Sequence, residues 1–247
     1  MHGHKYVAYA PLNTPKAFAD EVWVVDGPEI GLRYFGLTLP FPTRMTVVRL
    51  SAGALWVHSP IAWDDRLGEA LAGLGTVRHL VAPNTLHYAY LPDWQARFPE
   101  ARSYGPPRLT EKARRPVSVD ETLGDEPAAA WGDTFCQCLV AGSLLTEVDF
   151  FHRPSRTLIL TDLIENFEPS RVRSTLLRWA MKAFGAADPD GKAPFDMQLS
   201  FLGHRSDVRT AARRMIAWAP ERIVIAHGRC YDSGGVEELR RAFRWVL

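Results

Sequence analysis

Cysteine is scarce in this sequence. The chain of 247 residues holds three, Cys136, Cys138 and Cys230, and an odd, sparse set does not build a disulfide framework. The spacing Cys136-x-Cys138 points both thiols to one face of an alternating strand. It reads first as two small buried apolar side chains and second as a metal or redox pair. Charge of one sign is also lacking. The formal net charge is +1, without the clearly basic surface that nucleic-acid binding requires. No window reaches about 18 uninterrupted apolar residues, which argues against a transmembrane helix and a membrane partner. The N-terminal stretch MHGHKYVAYAPLNTPKAF has no basic segment followed by an apolar one, so no secretory signal is expected and the cytoplasm is the default compartment.

Core-forming residues are plentiful. Apolar residues make up 47% of the chain and aromatics 11%, ample for a sizeable core. Glu21 to Asp26 (EVWVVD) is β-branched and aromatic and closes at Gly27-Pro28. Met45 to Leu50 alternates, Ser51-Ala52-Gly53 turns, and Ala54 to His58 follows at hairpin distance. Trp63 to Leu74 then places Leu67, Ala70, Leu71 and Leu74 on one helical stripe, with Asp64 and Asp65 near its positive end and Gly75 as its stop. Thr76 to Ala82 reads as a strand, and Asn84 to Phe98 as helical around Pro92. Residues 99–130, rich in proline and charge clusters, read as loop with short strands.

The second half repeats this order. Thr134 to Val140, Thr146 to His152 and Arg156 to Thr161 read as strands, the last two as a hairpin. Ser170 to Phe184 reads as an amphipathic helix with Val172, Leu176, Leu177, Ala180 and Phe184 inward, and Ser206 to Ala219 as another. Arg222 to Ala226 is a buried strand and Val236 to Val246 a closing helix. Neither half shows a complete set of elements alone, so residues 1–247 are expected to form a single domain. About ten strands and five helices, in the same order in each half, suggest an α+β (α/β) chain with two similar sheets stacked face to face.

The polar residues gather where these strands end. The strand ALWVH ends at His58, HLVAP at Asn84 with His87 one turn on, RTLILT at Asp162, and RIVIA at His227. Strand tips let side chains converge on a rigid scaffold, and histidine with carboxylate is a donor set for metals. Each residue also has a plain alternative: a satisfied core ring for a histidine, or a helix cap for Asp162. Their joint appearance at successive tips favours a site, because a core gains nothing from four polar groups. Glu147, level with Asp162, is a further candidate. His152 and His79 fall at the opposite pole, His2 and His4 in a terminal tail, and His204 in a loop between helices.

The order of these pieces resembles the metallo-β-lactamase superfamily, and within it a group of uncharacterised, mostly bacterial proteins, domains of unknown function with a degenerate metal motif and the signature APN-x-x-H. The matching stretches are RMTVVRLSAGALWVHSP, HLVAPNTLH, FFHRPSRTLILTDL and ERIVIAHG. The resemblance implies a four-layer αβ/βα sandwich, two mixed sheets packed face to face with helices outside, and a site for two zinc or iron ions at its edge. It also shows what is missing. The first motif, H-x-H-x-D-H, falls on Asn84, Leu86, Tyr88 and Ala89, with His87 between them. The middle histidine falls near Ala141-Gly142-Ser143, whereas Asp162 matches the bridging aspartate and His227 the final histidine.

What remains implies a reduced site. Asp162, His227 and His87 would hold at most one zinc, iron or manganese ion, with His58 or Glu147 in reserve. Asn84 and His87 would be the catalytic pair, Asn84 orienting water or substrate, and Ser59, Tyr88, His204 and Arg205 would line the pocket. The expected function is metal-dependent hydrolysis of a small molecule. The alternatives are a metal-free descendant of the fold that binds a small molecule or serves a structural role, and an iron-dependent oxidoreductase. Substrate choice would fall to residues 28–44 and 99–130, and a homodimer stays open.

Overall fold

The computed structural model describes residues 6–34, 37–143 and 145–247, the side chains of 32–40 apart. Two sheets stack, with helices on both outer faces. The first sheet runs in chain order: β1 (Lys16–Ala19), β2 (Val22–Tyr34), β3 (Leu37–Arg49), β4 (Ala54–His58), β5 (Thr76–Val81), β6 (Arg102–Gly105) and β7 (Glu121–Thr122). It is antiparallel through β4 and parallel beyond, because β4, helix α1 (Asp65–Leu74) and β5 form a strand–helix–strand crossover. The second sheet holds β8 (Phe135–Ala141), β9 (Thr146–His152), β10 (Thr157–Ile159) and β11 (Arg222–Val224) in the order β11-β10-β9-β8. Only its β10–β11 pair is parallel.

Period-2 alternation explains the layers. In β4, Leu55 and Val57 face helices α1 and α2 (Leu91–Arg97), while Trp56 faces the second sheet. In β9, Val148 and Phe150 meet Trp56 across the seam, while Phe151 faces α6 (Arg205–Ala217) and α7 (Gly235–Ala242). Three seams thus make four layers, each burying side chains worth about 1.5–3 kcal/mol apiece. Asp64 caps α1 through bonds from the amides of Arg66 and Leu67, and Gly75 ends it.

The structure departs from the sequence reading in several places. It has eleven strands and seven α-helices among the described residues, the other three helices being α3 (Leu109–Lys112), α4 (Thr175–Phe184) and α5 (Phe195–Ser200). Gly27-Pro28 does not end the second strand, because Gly27 still pairs with Thr43, a register shift between Gly27 and Ile30 takes up Pro28, and β2 continues to Tyr34. Residues 28–34 and 37–44, expected to choose the substrate, are therefore mostly paired strand. No helix starts at Asn84: its side-chain oxygen accepts from the amides of Leu86 and His87 at 2.8 Å each, a cap-like pattern, but residues 85–90 run as bend and turn and α2 begins only at Leu91. In α4 only Leu177 and Met181 pack inward, whereas Leu176 and Phe184, expected inside, are exposed.

Two buried titratable groups sit in the seams and act on stability in opposite senses. The same alternation puts His58 beside Trp56, its ring stacked at 5.2 Å and its Nε2 without a partner. Burial, then the nearby His87, pushes its pKa from 6.5 down to about 3. Asp149 faces the helical layer with both oxygens unpartnered, and burial followed by the charge of Glu147 raises its carboxyl well above 3.8. His58 is protonated more readily in the unfolded chain, so the stability it permits above pH 6.5 is lost as pH falls toward 3. Asp149 ionises more readily in the unfolded chain, so stability is lost as pH rises above 3.8. Urea unfolding across pH 4 to 8 is expected to show a shallower acid loss for His58→Phe and a gain for Asp149→Leu that grows with pH. Parallel curves for wild type and both variants would refute this account.

Candidate metal centre

Asp162 follows β10, and the carboxylate of Glu147 holds its approach. Glu147 Oε1 accepts from the amides of Thr161 at 2.8 Å and Asp162 at 3.2 Å, and Oε2 accepts again from Asp162 at 2.9 Å. Glu147 is thus spent on backbone and on the Asn84 amide, 3.0 Å away. Asn84 Nδ2 also donates to Thr161 Oγ1 at 2.9 Å and to Asp162 Oδ2 at 2.8 Å. Its donors are committed inside the protein, so it orients Asp162 instead of a substrate. No bond links the Asp162 side chain to a following amide, so it is not the helix cap that its position also allowed.

With Oδ2 occupied, Asp162 offers Oδ1 to two histidines. His87 Nε2 and His227 Nε2 each lie 3.3 Å from it, and the three side chains bring ligand atoms within 4.8 Å of one another. The far nitrogens determine what those Nε2 atoms carry. His227 Nδ1 lies 3.0 Å from the Pro42 carbonyl, which can only accept, so Nδ1 bears the proton. Ser59 Oγ donates to the Arg44 carbonyl at 3.1 Å and lies 2.7 Å from His87 Nδ1, so this nitrogen is also the donor. Both Nε2 lone pairs therefore converge on one anionic oxygen, an arrangement stable only with protons or a cation between them. A tetrahedral ion with bonds of about 2.0–2.1 Å spaces its donors about 3.3–3.4 Å apart, the length of both histidine–Asp162 edges.

Protons alone satisfy this arrangement only in part. Burial opposes a charged His87, yet Asp162 and Glu147 outweigh burial and raise its pKa. For His227, burial together with the charge of His87 prevails over the bond to Asp162, and its pKa is lowered. Burial would raise the Asp162 carboxyl, but the two imidazoles hold it well below its usual range. Burial and the carboxylate thus pull the two imidazoles in opposite directions, and a cation held between both Nε2 atoms and Oδ1 would relieve both.

Backbone geometry builds this convergence. Ser59 has a φ of 56°, a left-handed conformation that a non-glycine residue seldom adopts, and it turns the hydroxyl toward His87 at the end of β4. Gly228 follows His227 with a φ of 99°, and a Cβ there would stand 2.0 Å from the Asn166 carbonyl oxygen. That contact lets Asn166 bond on both sides, its amide to His227 O at 3.0 Å and its carbonyl to the Arg229 amide at 2.8 Å. Phe41 meets the His227 ring edge-on at 5.3 Å and Phe167 stacks on it at 6.2 Å.

Arg44 ties the two histidine segments together and escaped the sequence reading. Buried in β3, its Nη1 donates to the carbonyls of Ile225 and Gly228 at 2.7 Å each, on either side of His227. Its own carbonyl accepts from Ser59 behind His87. Asp26, 2.8 Å from Nη2, balances the charge, and Lys16 supports Asp26 at 2.5 Å. A charged residue in an otherwise apolar run, PTRMTVV, is the one signal that marks it.

Other expected site residues lie elsewhere. His58 is in the seam between the sheets and does not join the three donors. The Tyr88 hydroxyl accepts from the amides of Arg114 and Arg115, at 2.6 and 3.0 Å, and its ring packs under the first sheet. His204 is exposed 3.4 Å from Asp207, and Arg205 lies over Trp245. His2 and His4 lie outside the described residues. Cys136 and Cys138 share one face of β8 against the helical layer, as free thiols. Among the described residues no other set of histidine, cysteine or carboxylate donors gathers as closely. Neither recess on the far surface, one beside Ser233 and one beside Asp20, includes them.

The signature described as "Domain of unknown function (DUF4336)" matches residues 19–190. The chain belongs to that family. Among solved structures it is similar to DIM-1 metallo-β-lactamase exposed to ceftazidime, with a TM-score of 0.62 and 13% identity, covering 94% of this chain and 97% of that one. It is similar also to a metallo-β-lactamase from Hirschia baltica, with a TM-score of 0.61, 11% identity and 93% and 95% coverage. A third is the metallo-β-lactamase FIM-1 from Pseudomonas aeruginosa in its mono-zinc form, with a TM-score of 0.60, 13% identity and 98% and 97% coverage. No curated protein matches the sequence. The DUF4336 chain thus has the metallo-β-lactamase fold, in agreement with the resemblance read from its motifs.

Replacing Arg44 with methionine is expected to cost the DUF4336 protein about 3 kcal/mol in urea unfolding, since it takes the Nη1 donor from two carbonyls and leaves Asp26 with Lys16 alone. A loss under about 1 kcal/mol would show that this brace is dispensable.

Proposed function

We propose that the protein is a single-metal, hydrolase-like member of the fold, acting on a small molecule. The observation that carries this reading is the pair of histidines whose Nδ1 atoms are both committed as donors while both Nε2 atoms face Asp162 Oδ1. Such a pair, braced by a hydroxyl and a carbonyl, has the form of a metal ligand set with its outer support. The solved mono-zinc relative of the same fold supports a one-ion reading. His87, Asp162 and His227 would hold a zinc, iron or manganese ion with a position open beyond three protein ligands. Such an ion supplies Lewis acidity, polarising an electrophilic bond and bringing the pKa of water toward ~7.

The chain's own residues do the rest. Asn84 keeps Asp162 turned so that Oδ1 faces the histidines. Ser59 and Pro42 hold both rings in the Nδ1–H form, with Nε2 free to bind. Phe41 and Phe167 shield His227 from water. Tyr88 and Ala89 stand where a second ion would need Asp and His, and the Tyr88 side chain is turned away. That leaves donors for one ion.

Protein purified without a histidine tag is expected to hold up to one equivalent of metal by elemental analysis. Asp162→Asn and His227→Ala should each lose it, and added zinc should raise the melting temperature of wild type alone. Affinity should weaken as pH falls, first as protons compete for His87, whose pKa is raised above 6.5, and at lower pH for His227. Absence of metal with no thermal shift would favour the metal-free alternative. Iron with redox-dependent absorption would favour the oxidoreductase.

A further inference from the structure

Six of the ten exposed large apolar side chains among the described residues fall between positions 176 and 202: Leu176, Trp179, Phe184, Phe195, Leu199 and Leu202. Such clustering on one segment is unusual for a chance distribution over a surface. The centre is α4. Leu177 and Met181 pin its inner face to Tyr6, Phe167 and Val172, the aromatic group beside His227. Leu176 and Trp179 stand out on the opposite side, 79% and 67% exposed. Helical periodicity then places Arg178 and Lys182 on the flank next to Trp179, with Leu176 and Ala183 on the other.

Charge decides what covers this surface. Arg173, Arg178 and Lys182 are exposed, and among the described residues none pairs with a carboxylate. Residues 172–184 contain no acidic side chain. A second copy docking face to face by two-fold symmetry would set these cations against their own counterparts. A helical partner needs a groove, whereas Leu176 and Trp179 protrude. Protruding tryptophan and leucine with cations on one flank suit a planar boundary between anionic headgroups and acyl chains.

We propose that α4 docks the protein onto a lipid surface carrying anionic headgroups, with Trp179 and Leu176 entering the boundary and Arg173, Arg178 and Lys182 meeting the headgroups. No helix among the described residues is long and apolar enough to cross a membrane, so the contact is peripheral. The sequence reading, which expected no membrane partner, had assigned Leu176 and Phe184 to the core.

Co-sedimentation of the full chain with vesicles tests this. Binding is expected to vesicles of phosphatidylglycerol mixed with phosphatidylcholine at low salt, weakening as salt rises. Vesicles of phosphatidylcholine alone should bind about tenfold less or worse. Trp179→Ser with Leu176→Gln, and separately Arg178→Glu with Lys182→Glu, should each lower affinity for the anionic vesicles about tenfold or more while the melting temperature stays put. Failure to sediment with anionic vesicles, equal binding to both compositions, or variants that bind like wild type would each overturn the proposal. So would a concentration-dependent dimer abolished by Trp179→Ser, which would assign this face to a second copy.

Discussion

The site depends on one oxygen atom being shared. Two imidazoles reach Asp162 Oδ1 at 3.3 Å each, and neither can turn away because its far nitrogen is bound. Coulomb attraction alone would let one protonated histidine satisfy the carboxylate and release the other. The carbonyl of Pro42 and the hydroxyl of Ser59 prevent that release. The protein therefore keeps two imidazole nitrogens against one carboxylate oxygen in a nearly dry place.

Holding that arrangement requires scaffolding out of proportion to three side chains. Glu147 lies on the outer face of the second sheet and spends its oxygens on the backbone that carries Asp162. Arg44 lies in the first sheet and reaches across to the His227 segment, while its own carbonyl steadies Ser59. The two sheets are thus joined at the site by charge-assisted hydrogen bonds as well as by the seam of Trp56 and Phe150. Asn84 makes this economy visible. Where the superfamily motif has a first histidine, this chain has an amide that bonds to Glu147, Thr161 and Asp162 together. That amide is internal structure, joining the end of β5 to the turn that carries Asp162.

Much of the fold was legible in the residues. Alternation separated Leu55 and Val57 from Trp56, the hairpin from Met45 to His58 formed as read, and Thr146–His152 is a strand with the bounds expected. Local rules failed where a side chain or a distant contact overrode them. Gly27-Pro28 read as a strand end but sits in a bulge. Asn84 read as a helix start, but its side-chain amide is drawn to Glu147, Thr161 and Asp162 and the segment stays in turns to Tyr90. Leu176 and Phe184 matched an inward stripe, but α4 packs on a cluster wide enough only for Leu177 and Met181.

His87, Asp162 and His227 were identifiable from the sequence because each follows an apolar strand, and strand tips converge in stacked α/β layers whatever the intervening loops do. That is a property of local pattern. Which tip residues share one point is a different matter, since it turns on side-chain direction across a distance of many residues. A left-handed Ser59, the glycine at 228 and an arginine from another strand set those directions. The sequence by itself determined the layers and the candidates. Only the tertiary structure sent His58 into the seam, turned Tyr88 aside and aimed two histidines at a single oxygen, because packing and hydrogen bonding between distant segments decide where a side chain points.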